Sequence, residues 1–239
     1  MIDTILWDVD GTLLDFHAGE KSALRLSMAK YDVAVTDEQT AVYREINQSL
    51  WEKLELNAIT KETLGPERFR QFLSYLDITH IDPSSLNQTY QEALSQEAVM
   101  ITDADSVCTA LQVMGIRQYV VTNGTAVVQR RRLEKSGLDR FMEAIFISEE
   151  LGAVKPERQF FDLCSAQIPH YDPACTMIVG DSLTSDIRGG NQAGILCCWF
   201  NPFQKPTDST LTIDYEIRTL RDVIDCLSHW QDIRSYDTK

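Results

Sequence analysis

The spacing of apolar and polar positions changes rhythm twice along the chain. Thr4 to Val9 is a short β-rich run that stops abruptly at Asp10-Gly11. Beyond Asp15 the apolar positions recur at helical spacing, and they keep that spacing until about residue 98. Ser22 to Lys30 reads as a helix. Thr36 then precedes Tyr43, Ile46, Leu50 and Leu54, with Gln39 placed to complete a capping box and Asn57 able to end the helix in a left-handed conformation. Thr60 opens another helix carrying Phe69, Phe72, Leu73 and Leu76, and Ser84 or Ser85 opens one carrying Leu86, Tyr90 and Leu94.

From about residue 103 the pattern alternates. Helices are predicted over 104–114, 125–136, 157–166 and 184–193, and strands over 118–122, 144–147, 176–179, 195–200 and about 213–217, with a helix closing the chain. Strands that alternate with helices make a parallel sheet covered on both faces. The first strand must join that sheet, because a lone strand leaves its backbone groups unpaired. The expected fold is α/β: a Rossmann-like doubly wound core (1–15 and 99–239) interrupted by an all-helical insert (16–98).

In such a sheet, ligands gather at the carboxyl ends of the strands. The first strand delivers Asp8 and Asp10, and the second delivers Thr122, Asn123 and Gly124. A loop after the third offers Lys155-Pro156, and the fourth ends in Gly180-Asp181-Ser182 with Asp186 close behind. Clustered carboxylates persist at neutral pH only when protonated or bridged by a cation. Oxygen ligands with room for waters suit Mg²⁺. Asp8, Asp181 and Asp186, with the backbone carbonyl of Asp10, are the candidate metal ligands. Lys155, the Thr122 hydroxyl and the N–H groups of Asn123 and Gly124 are placed to meet a phosphoryl group.

Composition narrows the partners. Acidic residues number 36 against 22 basic, a net charge of −14, which opposes binding to a nucleic-acid polymer. A small phosphorylated substrate remains compatible, since a bound cation reverses the local field. No signal peptide or membrane span is expected, and the six cysteines lack Cys-x-x-Cys spacing, so reduced thiols and a cytoplasmic location are expected. Whether the chain is a monomer or a homodimer is left open.

Asp8-x-Asp10-Gly-Thr, Thr122-Asn123-Gly124, Lys155-Pro156 and Gly180-Asp181-x₄-Asp186 resemble the four motifs of the haloacid dehalogenase superfamily of phosphohydrolases. The likeness spans the whole chain, including a helical cap inserted after the first motif. It implies that Asp8 attacks phosphorus to form an aspartyl-phosphate and that Asp10 serves as acid, then base. Family members that cleave carbon–halogen bonds lack a carboxylate at the second position, so Asp10 favours phosphoryl transfer. More narrowly, Leu13-Leu14-Asp15-Phe16, Asn47-x-x-Leu50-Trp51, Ile59-Thr60 and Arg68-Phe69 resemble the bacterial pyrimidine 5′-nucleotidases, although Asn57 stands where glycine is expected. That likeness implies a nucleoside monophosphate as substrate. A sugar-phosphate phosphatase or phosphomutase is the alternative. A receiver-like signalling module is more distant, because receivers lack both the insert and an acid two residues past the phosphorylated Asp.

Phe16 and His17 follow the catalytic turn, where a flap would meet substrate, and Trp51 is either core or a wall for base stacking. Hinges are expected near 15–18 and 99–103. His80, His170 and His229 have no metal-ligand spacing. Arg130-Arg131-Arg132 is expected to be a solvated face, and Gly189, Gly190, Ala193 and Gly194 to permit close helix–strand approach.

Overall fold

Thr4–Trp7 (β1) is buried at every position, as expected of a strand covered on both faces. In the computed structural model, which describes residues 2–56 and 58–227, β1 lies inside a six-stranded sheet of order β3-β2-β1-β4-β5-β6. The other strands are Arg117–Thr122 (β2), Ala144–Ile147 (β3), Thr176–Gly180 (β4), Leu196–Phe200 (β5) and Tyr215–Ile217 (β6), and every pairing is parallel. The chain runs outward from β1 through β2 to β3, then returns to lay β4 on the other side of β1. Strand order therefore reverses beside β1, and the carboxyl ends of β1 and β4 flank the crevice where a doubly wound sheet takes its ligand.

Alternation along the strands divides the sheet's apolar residues between two layers. Ile5, Trp7, Val120, Val179 and Cys198 pack on one face, and Leu6, Tyr119, Val121, Ile178 and Cys197 on the other. Cys197 and Cys198 thus face opposite ways, and all six cysteines are free thiols.

The chain divides into two compact units, one of Met1–Asp15 with Val99–Lys239 and one of Phe16–Ala98. The second consists of Phe16–Ala29 (α1), Asp37–Glu55 (α2), Lys61–Tyr75 (α3) and Pro83–Leu94 (α4). Tyr43, Phe69, Phe72 and Tyr90 form its aromatic centre, with ring centroids 5.3 to 5.8 Å apart. A polar network runs beside them. Asn47 donates to buried Glu20 (2.8 Å), and Arg68 donates to Asn47 (3.2 Å) and Asn87 (2.7 Å).

The capping box at Thr36 and Gln39 is present, and Thr60 caps α3. Three expected boundaries are corrected. The first helix starts at Phe16, not Ser22, and Gly19 lies buried inside it instead of breaking it. Asp82 caps α4, with Pro83 at the first position where its missing N–H costs nothing; Ser85 supplies the N–H that Asp82 accepts. The helix expected over 184–193 is a π-helical turn, Leu183–Ile187, followed by a short helix, Arg188–Ala193. Asn57, His229 and the chain's closing helix beyond residue 227 lie outside the described residues, although 222–227 are helical. Among the described residues no helix is long and apolar enough to cross a membrane.

Candidate active site

Asp8 stands immediately past β1, where its N–H donates to Val179 O on β4 (2.9 Å), so the start of the turn is tied to the neighbouring strand. The residue is 7% exposed. Gly11 then takes φ +91°, which suits glycine, and its N–H donates to Leu14 O. A Cβ at Gly11 would lie 2.9 Å from the Asp181 carboxylate, so this turn brings the first and fourth strand ends into close packing. The segments on either side of the insert run together in the same unit. Asp15 N–H donates to Val99 O (2.8 Å) and Ile101 N–H donates to Leu13 O (2.9 Å).

Lys155 reaches Asp8 from the loop after β3. Its ammonium donates to Asp8 Oδ1 (2.8 Å), Asp186 Oδ1 (2.7 Å) and Val121 O (2.8 Å), so all three N–H groups are engaged. Asn123 holds that loop in place: its amide donates to Lys155 O and accepts from Lys155 N–H, both at 2.9 Å. The side chain of Asn123 thus positions Lys155. The N–H of Gly124, expected to face a phosphoryl oxygen, donates here to Thr122 Oγ1 (3.1 Å).

Asp186 belongs to the π-helical turn, which points its carboxylate back at Lys155 while Ser182 N–H donates to its other oxygen (3.1 Å). A π turn at such a position is a recurrent feature of functional sites. Asp181 is fixed through its backbone carbonyl, which accepts from the Trp199 indole (3.0 Å), and its carboxylate has Lys205 at 3.6 Å.

Asp8, Asp181 and Asp186 each offer a carboxylate oxygen within 4.8 Å of the others. Burial chiefly, with the charges of Asp186 and Asp181, raises Asp8 well above the usual carboxylate range despite Lys155. Burial and then Asp186 push Asp181 up to about 6. Burial alone would lower the Lys155 ammonium, but Asp186 and Asp8 outweigh it and hold it raised. Two lysines, the buried Lys155 and the more exposed Lys205, do not balance three carboxylates. The donors are hard oxygens in a tight cluster with surplus negative charge, and they fit a divalent cation of the Mg²⁺ type.

The carboxylate of Asp10 is turned to a different set of partners. Gln129 donates to Oδ2 (2.6 Å) and Arg132 to Oδ1. Both side chains come from Ala126–Ser136 (α6), and both are 1% exposed. The expectation of a solvated arginine run is corrected at Arg132. Arg130 pairs at the surface with Glu150, whereas Arg132 lies on the inward face with Gln129, three residues before it. Gln129, Arg132, Trp199 and Lys205 were not among the candidate site residues read from the sequence. The i, i+3 spacing of Gln129 and Arg132, directly after Thr122-Asn123-Gly124, was the available signal.

Phe16 and His17 open α1, and Trp51 lies on α2 beside Leu50, Leu54 and Leu64, so all three belong to the helical unit. His80 and His170 are exposed. Gly189 packs against Phe161, and Gly190 against Cys197 and Ile178.

The model of the haloacid dehalogenase-like hydrolase family matches residues 2–194. The HAD-hydrolase YfnB of Bacillus subtilis, in a crystal structure described as bound to magnesium and revealing interdomain movement, superposes with a TM-score of 0.89 at 38% identity, covering 94% of this chain and 97% of that one. Pyrimidine 5′-nucleotidase PynA of Streptococcus pneumoniae is 36% identical over 93% of this chain and 94% of its own length. Pyrimidine 5′-nucleotidase YjjG of Escherichia coli is 29% identical over 92% and 96%.

Proposed function

The chain belongs to the haloacid dehalogenase-like hydrolases, and from that premise we propose that it hydrolyses phosphate monoesters through an aspartyl-phosphate on Asp8, with pyrimidine nucleoside 5′-monophosphates as substrates. The observation that carries this reading is that two carboxylates two residues apart have separate partners. Asp8 is held by Lys155, and Asp10 is held separately by Gln129 and Arg132.

Lys155 engages Oδ1 of Asp8, so in this reading Oδ2 makes the attack. As the Asp8 oxygen–phosphorus bond forms, the bond from phosphorus to the nucleoside oxygen breaks, and Asp10 gives that oxygen a proton. Water then attacks the aspartyl-phosphate. Asp10 takes a proton from it, the new phosphorus–oxygen bond forms, and the bond to Asp8 breaks to release inorganic phosphate. Thr122 donates its hydroxyl hydrogen to a phosphoryl oxygen. Asp8, Asp181 and Asp186, with the Asp10 carbonyl, would hold Mg²⁺, which supplies positive charge against the phosphoryl oxygens when bound.

The nucleotide substrate is supported by the names of PynA and YjjG and by the residues of the helical unit that resemble those enzymes. Of these, Asn47 and Arg68 are interior members of the Glu20 network, so their part is to shape that unit. The test is a panel of pyrimidine and purine monophosphates and sugar phosphates, assayed for phosphate release with Mg²⁺ and with EDTA. Highest kcat/KM on pyrimidine nucleotides, abolished by EDTA, is expected. Preference for a sugar phosphate would overturn the substrate while sparing the reaction class, and transfer to a second sugar instead of water would mark a mutase.

A further inference from the structure

An aspartate on a tight turn has a fixed backbone but two side-chain torsions free to rotate, and a proton carrier that rotates is rarely aligned. A single hydrogen bond to one oxygen leaves the carboxylate free to turn about that contact. Asp10 has a donor on each oxygen, Gln129 on Oδ2 (2.6 Å) and Arg132 on Oδ1. The two donors are themselves joined, Arg132 donating to Gln129 Oε1 (3.1 Å). Gln129 also donates to Thr122 Oγ1 (2.9 Å), which accepts from Gly124 N–H as well. With both acceptor positions filled, the hydrogen of Thr122 is left as its one remaining group to offer. Position 124 suits glycine because a Cβ there would collide with the Gln129 side chain. The Arg132–Asp10 pair joins a buried guanidinium to a partly exposed carboxylate, and an ion pair that desolvates a charge is a weak source of stability. Its placement against a reacting carboxylate therefore calls for a reason other than stability.

We infer that Gln129 and Arg132 are positioning residues that fix the orientation of Asp10 for proton transfer, and that Gln129 also aims the Thr122 hydroxyl. This rests on the phosphatase reading above.

The two halves of the cycle separate the inference from a merely structural role. Nitrophenolate leaves without a proton, so Asp8 alone can break the ester bond of p-nitrophenyl phosphate; hydrolysis of the aspartyl-phosphate still needs Asp10 to accept a proton from water. Gln129→Met preserves length and buried volume while removing the amide. It should lower kcat on a pyrimidine monophosphate by about 10²-fold, the lower end of general acid–base effects, with KM little changed. On p-nitrophenyl phosphate it should release a burst of one nitrophenolate per enzyme, followed by slow turnover. Arg132→Lys, which keeps one charged donor, should lose less than Arg132→Met. The inference is overturned if the wild type is active and Gln129→Met retains its kcat, or if the variant slows on both substrates without a burst. In either case the phosphatase reading stands. A wild type inactive on both esters would remove that reading and the inference with it.

Discussion

At Asp8, Asp181 and Asp186, the cation proposed above would compete with protons for the same oxygens. Burial, and then the charge of Asp186, push Asp181 up to about 6. An unfolded aspartate titrates near about 3.9. The folded state therefore binds the extra proton between these values, and the associated stability is present at low pH and lost as pH rises through about 6. Asp8, raised in the same direction by burial, adds to the loss. Mg²⁺ relieves this repulsion only where the carboxylates are ionised. Its gain in thermal midpoint should thus be larger at about pH 7.5 than at about pH 5. Equal gains at the two pH values would show that these carboxylates do not hold the ion. Asp8, Asp10 and Asp181 were candidates in the sequence because each stands where a predicted strand ends, and Lys155 because it lies in the loop after the third. Arg132 was not, since three adjacent arginines read as solvated and its partner Asp10 is 122 positions away.

Among the elements, β4 and the π-helical turn after it carry most of the precision. Gly180 ends β4, and a Cβ there would drive into the Asp186 side chain. Gly190, on the helix that follows, would instead meet Cys197 and Ile178 in the apolar layer. Alanine at either position should cost about 1–3 kcal/mol of stability, the usual penalty for overpacking a buried site. Only Gly180→Ala should also weaken the Mg²⁺ response, because it alone displaces Asp186 from Lys155. Denaturant unfolding with and without Mg²⁺ checks both, and a normal Mg²⁺ response in Gly180→Ala would contradict this role for the turn. The sequence marked a helix over 184–193 by its spacing. The π geometry depends on where Asp186 must reach, a long-range constraint that no local pattern encodes. Boundaries set by local chemistry, such as the Thr36 capping box, were readable, whereas the start of α1 was not, because Gly19 is a breaker by propensity and tolerated only through its burial.

For the whole molecule, the chain divides into two compact units at Asp15–Phe16 and Ala98–Val99. The net charge of −14 spoke against a nucleic-acid polymer, yet it gave no indication of which small phosphate ester is bound. The proposed substrate rests on the resemblance of residues in the helical unit, of which Asn47 and Arg68 face its interior, so spacing alone does not disclose their part. The reaction class rests on the sheet unit and on one atom. The most direct measurement is acid quenching of the protein during turnover of a pyrimidine monophosphate with Mg²⁺, followed by borohydride reduction and mass spectrometry of the peptide that contains Asp8. A phosphoryl group recovered on Asp8, reduced to homoserine at that position and missing from inactive Asp8→Asn, is the predicted result. Steady phosphate release by Asp8→Asn, or turnover with no modified Asp8, would contradict it.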